Sequence, residues 1–263
     1  NRSGGGDWDE VSTLIQTTDG GYILGGWSES NVSGDKTENN IGPDGTPDYW
    51  VVKVDSFGVI QWQNTIGGSG YDILVSVQQT SDGGYILGGS SRSNISGDKT
   101  ENSIGDLDYW IVKTDSLGVI QWQNTIGGSG NDQLFSIQQT GDGGYILGGH
   151  SYSNISGDKT ENSIGSYNDY WIVKTDSLGN IQWQNTIGGS DLDQLFSIQQ
   201  TIDGGYIGGG YSYSNISGDK TENSNGNNDY WIVKTDSLGN IQWQNTVGGS
   251  GDDRLYSLQQ TGD

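Results

Sequence analysis

Cysteine and methionine are missing from this sequence altogether. Without cysteine there is no disulfide, no zinc–thiolate site and no thiol nucleophile. Histidine occurs once, at His150, which excludes a histidine-rich metal centre and offers no basis for a Ser–His–Asp arrangement. Basic residues are scarce: 11 Lys and Arg stand against 33 Asp and Glu, a formal charge of −22. Sequence-independent nucleic-acid binding needs phosphate neutralisation by Lys and Arg, and this balance opposes it. No long apolar run is present, so no transmembrane helix and no direct membrane insertion is expected. Neither a Gly-x-Gly-x-x-Gly following a strand nor a P-loop occurs. The chain opens on Asn1 with no signal peptide, so it reads as a mature or trimmed piece.

Hydrophobic residues make up only 30% of the chain, and with the acidity this points toward disorder. The aromatic content of 10%, with 10 Trp and 14 Tyr, argues the other way. Glycine is abundant, at 46 residues. The arrangement of these residues is periodic. Asp-Gly-Gly-Tyr-Ile recurs with Tyr22, Tyr85, Tyr145 and Tyr206; Asp-Tyr-Trp with Trp50, Trp110, Trp171 and Trp231; Gln-Trp-Gln with Trp62, Trp122, Trp183 and Trp243. Four units of about 60 residues result, and such a period marks a repeat architecture. The expected units are 7–68, 69–128, 129–189 and 190–249, with 250–263 opening a further one.

Each unit carries four short segments rich in Ile, Val, Leu, Tyr and Trp. In the third they are Leu134–Thr140, Gly144–Ser151, Tyr170–Thr175 and Asn180–Gly188. Their composition and lack of helical period read as strands A, B, C and D. Thr-x-Asp-Gly-Gly joins A to B and Asp-Ser-Leu-Gly joins C to D, both tight turns. B and C are separated by about 18 residues. The reading is all-β: a β-propeller of four-stranded antiparallel blades, because one small sheet cannot bury both faces and radial neighbours can. Gly-Gly at 25–26, 88–89, 148–149 and 209–210 is expected to let backbones approach where blades crowd. The Trp residues are expected to fill the gap between blades. A fifth strand A is expected over Asp253–Thr261, so the ring would continue in further blades of the same chain or another copy, or the units would stack as an open superhelix.

The order Gly-Tyr-Ile-Leu-Gly-Gly, an aromatic strand, then Asp-Ser-x-Gly-x-Ile-x-Trp resembles the kelch pattern. The string Asp169–Gly189, followed by Ser-Ile-Gln-Gln-Thr-x-Asp-Gly-Gly-Tyr-Ile, resembles propeller repeats of secreted Bacteroidetes surface proteins, cargo of type IX secretion. The resemblance implies strand A innermost, an extracellular or cell-surface location, and no enzymatic activity. The B–C loop here is longer than in that pattern, and no sorting domain is present in the sequence.

The B–C loop carries the most specific polar string, Asn-Ile/Val-Ser-Gly-Asp-Lys-Thr-Glu-Asn. Its Asp-x-Thr-x-Asn places oxygens at positions 1, 3 and 5, half of a calcium loop: Asp35, Thr37, Asn39; Asp98, Thr100, Asn102; Asp158, Thr160, Asn162; Asp219, Thr221, Asn223. Asp48, Asp108, Asp169 and Asp229 of the following Asp-Tyr-Trp stand in as closing carboxylates. The alternative is a self-bonded Asx-turn loop, and the lysine within the string weakens the calcium reading. The Asp before strand A and the Asp of Asp-Gly-Gly, Asp263 included, recur in every unit. A catalytic carboxylate pair is needed once, so turn and strand-end capping explains them better. The strand-C lysines Lys53, Lys113, Lys174 and Lys234 read as exposed residues or partners of a turn Asp.

Positions that break the repetition point to binding. Trp27, Glu29, Arg92, His150, Tyr152, Tyr211 and Tyr213 follow strand B and are expected to gather on one rim, with His150 exposed. Aromatic and polar groups side by side suit glycans or other surface proteins. The expectation is a non-enzymatic extracellular module acting in adhesion or as a scaffold; the alternative is a carbohydrate-binding, lectin-like propeller. No cofactor is expected beyond calcium.

Overall fold

Alternating β-branched and aromatic residues between Gly- and Asp-rich turns favour short strands, and sixteen of them form. The computed structural model describes residues 4–262 and contains no helix among them. Two compact units divide the chain, Asn1–Ile126 and Gly127–Asp263. In the first unit, one sheet holds β1 (Asp9–Gln16), β2 (Tyr22–Ser28), β3 (Asp48–Val54) and β4 (Ile60–Ile66). Its other sheet holds β5 (Asp72–Gln79), β6 (Tyr85–Ser91), β7 (Asp108–Thr114) and β8 (Ile120–Ile126). The second unit repeats this with β9 (Asp132–Gln139), β10 (Tyr145–Ser151), β11 (Asp169–Thr175) and β12 (Ile181–Ile187). Its last sheet holds β13 (Asp193–Gln200), β14 (Tyr206–Ser212), β15 (Asp229–Thr235) and β16 (Ile241–Val247). All four sheets are antiparallel meanders in sequence order, the expected A–B–C–D blade.

The turns form where the sequence places them. Gly20 and Gly58 adopt φ of 83° and 78°, the left-handed region that glycine enters without cost. Asp55 Oδ1 closes the C–D turn by accepting the N–H groups of Phe57 (2.8 Å) and Val59 (2.9 Å). The paired glycines of strand B serve two purposes rather than one. The first faces the next sheet: a Cβ on Gly25 would stand 2.9 Å from Leu74 Cδ2, and one on Gly148 2.6 Å from Leu195 Cδ2. The second faces a register shift in its own strand A. A Cβ on Gly89 would lie 2.0 Å from the Ile73 carbonyl oxygen, beside the irregularity between Leu74 and Ser76.

Within each unit the apolar face of one sheet seats on the next. In the first, Ile23, Tyr49, Val51 and Ile66 meet Leu74, Val77, Tyr85, Leu87, Trp110 and Val112. Tyr49 and Trp110 rings stand 4.8 Å apart, and the Tyr49 hydroxyl donates to the Trp110 carbonyl at 3.0 Å. Tyr170 and Trp231 reproduce this in the second unit at 4.9 Å and 2.9 Å. Trp110 therefore fills the inter-sheet gap, as its residue type suggested.

The segment expected as a fifth strand A, Asp253–Thr261, forms no ladder. It nevertheless follows the strand-A plan. Leu255 and Leu258 close over Gly209, as Leu195 and Ile198 close over Gly148. The Asp253 N–H donates to the Asn228 carbonyl at 2.7 Å, and Gln260 Oε1 accepts the Ile202 N–H at 3.0 Å. A strand A becomes a strand by pairing with its own strand B, and none pairs with this segment. Asp263 lies outside the described residues.

A methyl group at Gly89 has no room, whereas one at Gly251 meets nothing within 4 Å. Gly89→Ala is expected to lower stability by about 2–3 kcal/mol in urea unfolding, and Gly251→Ala to stay within about 0.5 kcal/mol of the parent.

Candidate functional site at the loop edge

A meander places its B–C loop and its D–A connection at one edge, and its A–B and C–D turns at the other. The loop edge holds every residue singled out for metal or ligand binding except Trp27, His150 and Tyr211. Those three lie one residue inside the ends of β2, β10 and β14, whereas Asp48, Asp108, Asp169 and Asp229 are the terminal residues of β3, β7, β11 and β15 at the loop edge.

Each long loop is zipped onto strand D of its own sheet. Lys36 is 1% exposed; its Nζ donates to Thr65 Oγ1 at 2.6 Å and sits 5.8 Å from the centre of the Trp50 ring. Glu38 Oε2 accepts the Thr65 N–H at 2.5 Å. The Thr37 N–H reaches Gln63 Oε1 at 3.3 Å, and Gln63 Nε2 donates to the Asp35 carbonyl at 2.7 Å. Lys99 bonds Thr125, Lys159 bonds Thr186 at 2.5 Å, and Lys220 bonds Thr246 at 2.7 Å. Buried polar groups must find partners, and Lys-Thr-Glu in the loop finds them in Gln-x-Thr of strand D. Sequence reading missed this pairing. Its signal was the strict co-recurrence of the two strings.

The Asn and Asp oxygens considered for calcium, Asp35 excepted, accept backbone N–H groups. Asn39, Asn102, Asn162 and Asn223 accept from Val32, Ile95, Ile155 and Ile216 at 3.0–3.1 Å. The amides of Thr100, Thr160 and Thr221 go to Gln123, Gln184 and Gln244. Asp98, Asp158 and Asp219 each accept from a glycine N–H at 3.2 Å, that of Gly67, Gly127 and Gly188. The side chains of Asp48, Asp108, Asp169 and Asp229 are buried and close their own loops by accepting N–H groups of Ile41, Ile104, Ile164 and Asn225. Among the described residues no group of three or more His, Asp or Glu is arranged to hold a metal ion. The Asp that opens strand A ties the D–A connection: Asp72 Oδ2 accepts from the Gly68 N–H (2.7 Å) and the Ser93 hydroxyl (2.8 Å).

Burial governs the charges here. It pushes Asp48 up to about 6, with the Asp72 charge adding to it and the Ile41 and Gly42 N–H groups opposing. Asp169 rises to about 7 for the same reason, beside Asp193, itself raised by burial to about 6. Burial holds Lys99 and Lys159 down to about 8 despite neighbouring aspartates. The strand-C lysines are not exposed. Lys53, Lys113, Lys174 and Lys234 are buried and pair with Asp19, Asp82, Asp142 and Asp203 of the A–B turn at 2.8–2.9 Å. At Asp82 burial works against ionisation, but Lys113, the Thr80 hydroxyl and the Gly84 N–H outweigh it and hold the carboxyl at about 2. All eight lysines of the chain are thus inside.

The rim candidates differ in exposure. Arg92 and Tyr152 are exposed and Glu29 and Tyr213 half-buried at the loop edge, each tied by its backbone N–H to the segment just before strand A. Trp27 is half-buried in β2. His150 is 3% exposed, not exposed as expected, and stacks on Phe135 at 5.2 Å. Burial holds it down to about 4, so it is neutral. Tyr211 is 7% exposed; its hydroxyl meets Gln194 and its ring stacks on Phe196 at 5.4 Å. The reason is register: the residue after Gly-Gly still belongs to strand B and packs on strand A. Phe135 and Phe196 touch at 4.6 Å, and Tyr256 meets Phe196 at 5.1 Å. This aromatic row was missed in the sequence. Its signal was that two of the three phenylalanines occupy the strand-A slot filled elsewhere by Ser12 and Val75.

No family model matches the chain, and no curated protein does. Among solved structures, a protein of unknown function from Bacteroides caccae aligns at 10% identity with a TM-score of 0.43, over 95% of this chain and 88% of that one. A likeness of this size carries no argument about function.

Two outcomes follow from the loop edge. Asp48, Asp169 and Asp193 have folded values raised above the ordinary 3.8, so their contribution is full below about 4 and lost as pH rises through 6 to 7. Lys99 and Lys159 are lowered from 10.5 to about 8, so their contribution returns only above that. The melting temperature is therefore expected to be higher at pH 5 than at pH 7.5, measured by circular dichroism; an equal or lower value at pH 5 refutes the assignment. Because the loops close on N–H groups and lysines, EDTA is expected to leave the melting temperature unchanged, and calcium to raise it no more than sodium at equal ionic strength. A calcium-specific rise of several degrees would restore the metal reading.

Proposed function

We propose that the four sheets are blades of a β-propeller, and that the chain is an exported, non-enzymatic module of a bacterial surface protein. It acts in adhesion or as a scaffold, and its loop edge meets other surface proteins or glycans. One observation carries this reading. Every long loop is bolted to its sheet by a buried lysine, and each offers solvent an apolar residue at the same position: Val32, Ile95, Ile155 and Ile216, 57–62% exposed. An anchored loop loses little entropy on contact, which favours recognition over chemistry. The resemblance of the repeat string supports export and the propeller arrangement. His150 and Tyr211 are buried and form no part of that contact surface.

Protease shaving of intact cells is expected to release the chain from the surface. Beads coated with it are expected to adhere to cell envelopes and mucin. Val32→Asp, Ile95→Asp, Ile155→Asp and Ile216→Asp combined should abolish adhesion with an unchanged melting temperature. Full protection from the protease, or adhesion indifferent to the four substitutions, overturns the reading.

A further inference from the structure

The turn edge holds a different kind of surface. In the first unit, a cleft of about 490 Å³ opens between the turn ends of the two sheets. Its volume is that of a small-molecule site. One wall is the half-buried indole of Trp62, whose ring meets Tyr85 edge-on at 5.8 Å. At the base, the Lys53 ammonium donates to Asp19 (2.8 Å), Gln61 (3.0 Å) and the Val54 carbonyl (3.1 Å), so all three donors are engaged. The positive charge is thereby cancelled inside the cleft. Asp19 remains 54% exposed, and Gln79, whose Oε1 accepts the Thr18 N–H at 2.8 Å, lines the same space. The exposed Ser116 closes the far wall from the second sheet.

An aromatic wall flanked by amides, a hydroxyl and a carboxylate, with no net charge to match, selects a neutral polyhydroxylated ligand. Sugar C–H groups pack on indole, and hydroxyls bond amide and carboxylate oxygens. The constellation is built twice. In the second unit Trp183 meets Tyr206 at 5.6 Å, Lys174 bonds Asp142 (2.9 Å) and Gln182 (3.0 Å), Gln200 accepts the Gly141 N–H (2.8 Å), and Ser237 holds the same place in its C–D turn as Ser116 does in its own. We propose that these turn-edge clefts are binding sites for neutral saccharides, at least two to a chain. This goes beyond the loop-edge reading and uses none of its residues.

The test is tryptophan fluorescence and calorimetric titration of the full chain. The probes are neutral di- and trisaccharides of glucose, galactose, mannose and N-acetylglucosamine. At least one is expected to bind saturably, in the millimolar range or tighter, with two or more sites. Ser116→Trp with Ser237→Trp fills both clefts from exposed positions and is expected to weaken binding at least about tenfold without altering the melting temperature. The four loop substitutions described above should leave binding unchanged, so failure of one reading is distinguishable from failure of the other. Absence of saturable binding across the panel, or equal binding by the filled variant, overturns the proposal.

Discussion

An antiparallel sheet of four seven- or eight-residue strands has two faces and can dry only one against itself and its loops; the second must be covered by another sheet. The same two strand-A positions show the constraint directly. Leu74 and Val77 are 0% and 4% exposed where a sheet precedes them in the unit, whereas Val11 and Leu14 are both 57% exposed. Glycine makes the contact close enough to exclude water. At Gly25 and Gly148 the space a Cβ would take belongs to a leucine of the next sheet. Burial of that leucine stabilises by about 1.5–3 kcal/mol, more than the entropic cost of a strand glycine, about 0.5–1 kcal/mol.

Lysine placement then determines the character of the surface. Four lysines hold the A–B turns through carboxylates and four hold the long loops through threonine hydroxyls. The two sets differ in kind. The turn lysines meet half-exposed aspartates whose ionisation they favour, and such pairs contribute modestly because water screens them. The loop lysines are desolvated, as are the aspartates near them, and both shift toward neutrality. Desolvating such charges costs stability, and what the loop lysines fix through their threonine bonds is where each loop sits. The consequence for interaction is that the charge left facing solvent is almost wholly negative, with Arg92 and Arg254 the exposed exceptions among the described residues.

The parts legible in the sequence are those set by neighbours along the chain. Asp55 to Gly58 forms its turn from its own residues, and Asp-Tyr-Trp-Ile-Val-Lys reads as a strand, though its burial on both faces, Lys113 included, was not read from it. The loop closure was not legible, because Lys36 and Thr65 are 29 residues apart and nothing local pairs them. Nor was the burial of His150. Whether a strand-end residue faces solvent depends on the register of the strand beside it, and the shift within each strand A decides that. The carboxylates illustrate the same limit. Their spacing fits half a calcium loop, but which N–H groups point at them is a tertiary fact.

Repetition and variation carry different information in such a chain. Asp, Lys, Thr and Glu recur at fixed places because every sheet needs the same turn ties and loop closures. Recurrence therefore argues against a single reactive centre at those residues. A recurring cleft is another matter, since it makes many weak sites rather than one strong one. Weak sites on one chain raise overall avidity through effective concentration, without any new contact. The aromatic row of Phe135, Phe196 and Tyr256 is the converse case, variable in the sequence and structural in its packing. Departure from the repeat is thus no guide to function by itself; what decides is whether the odd residue meets solvent or a neighbouring ring.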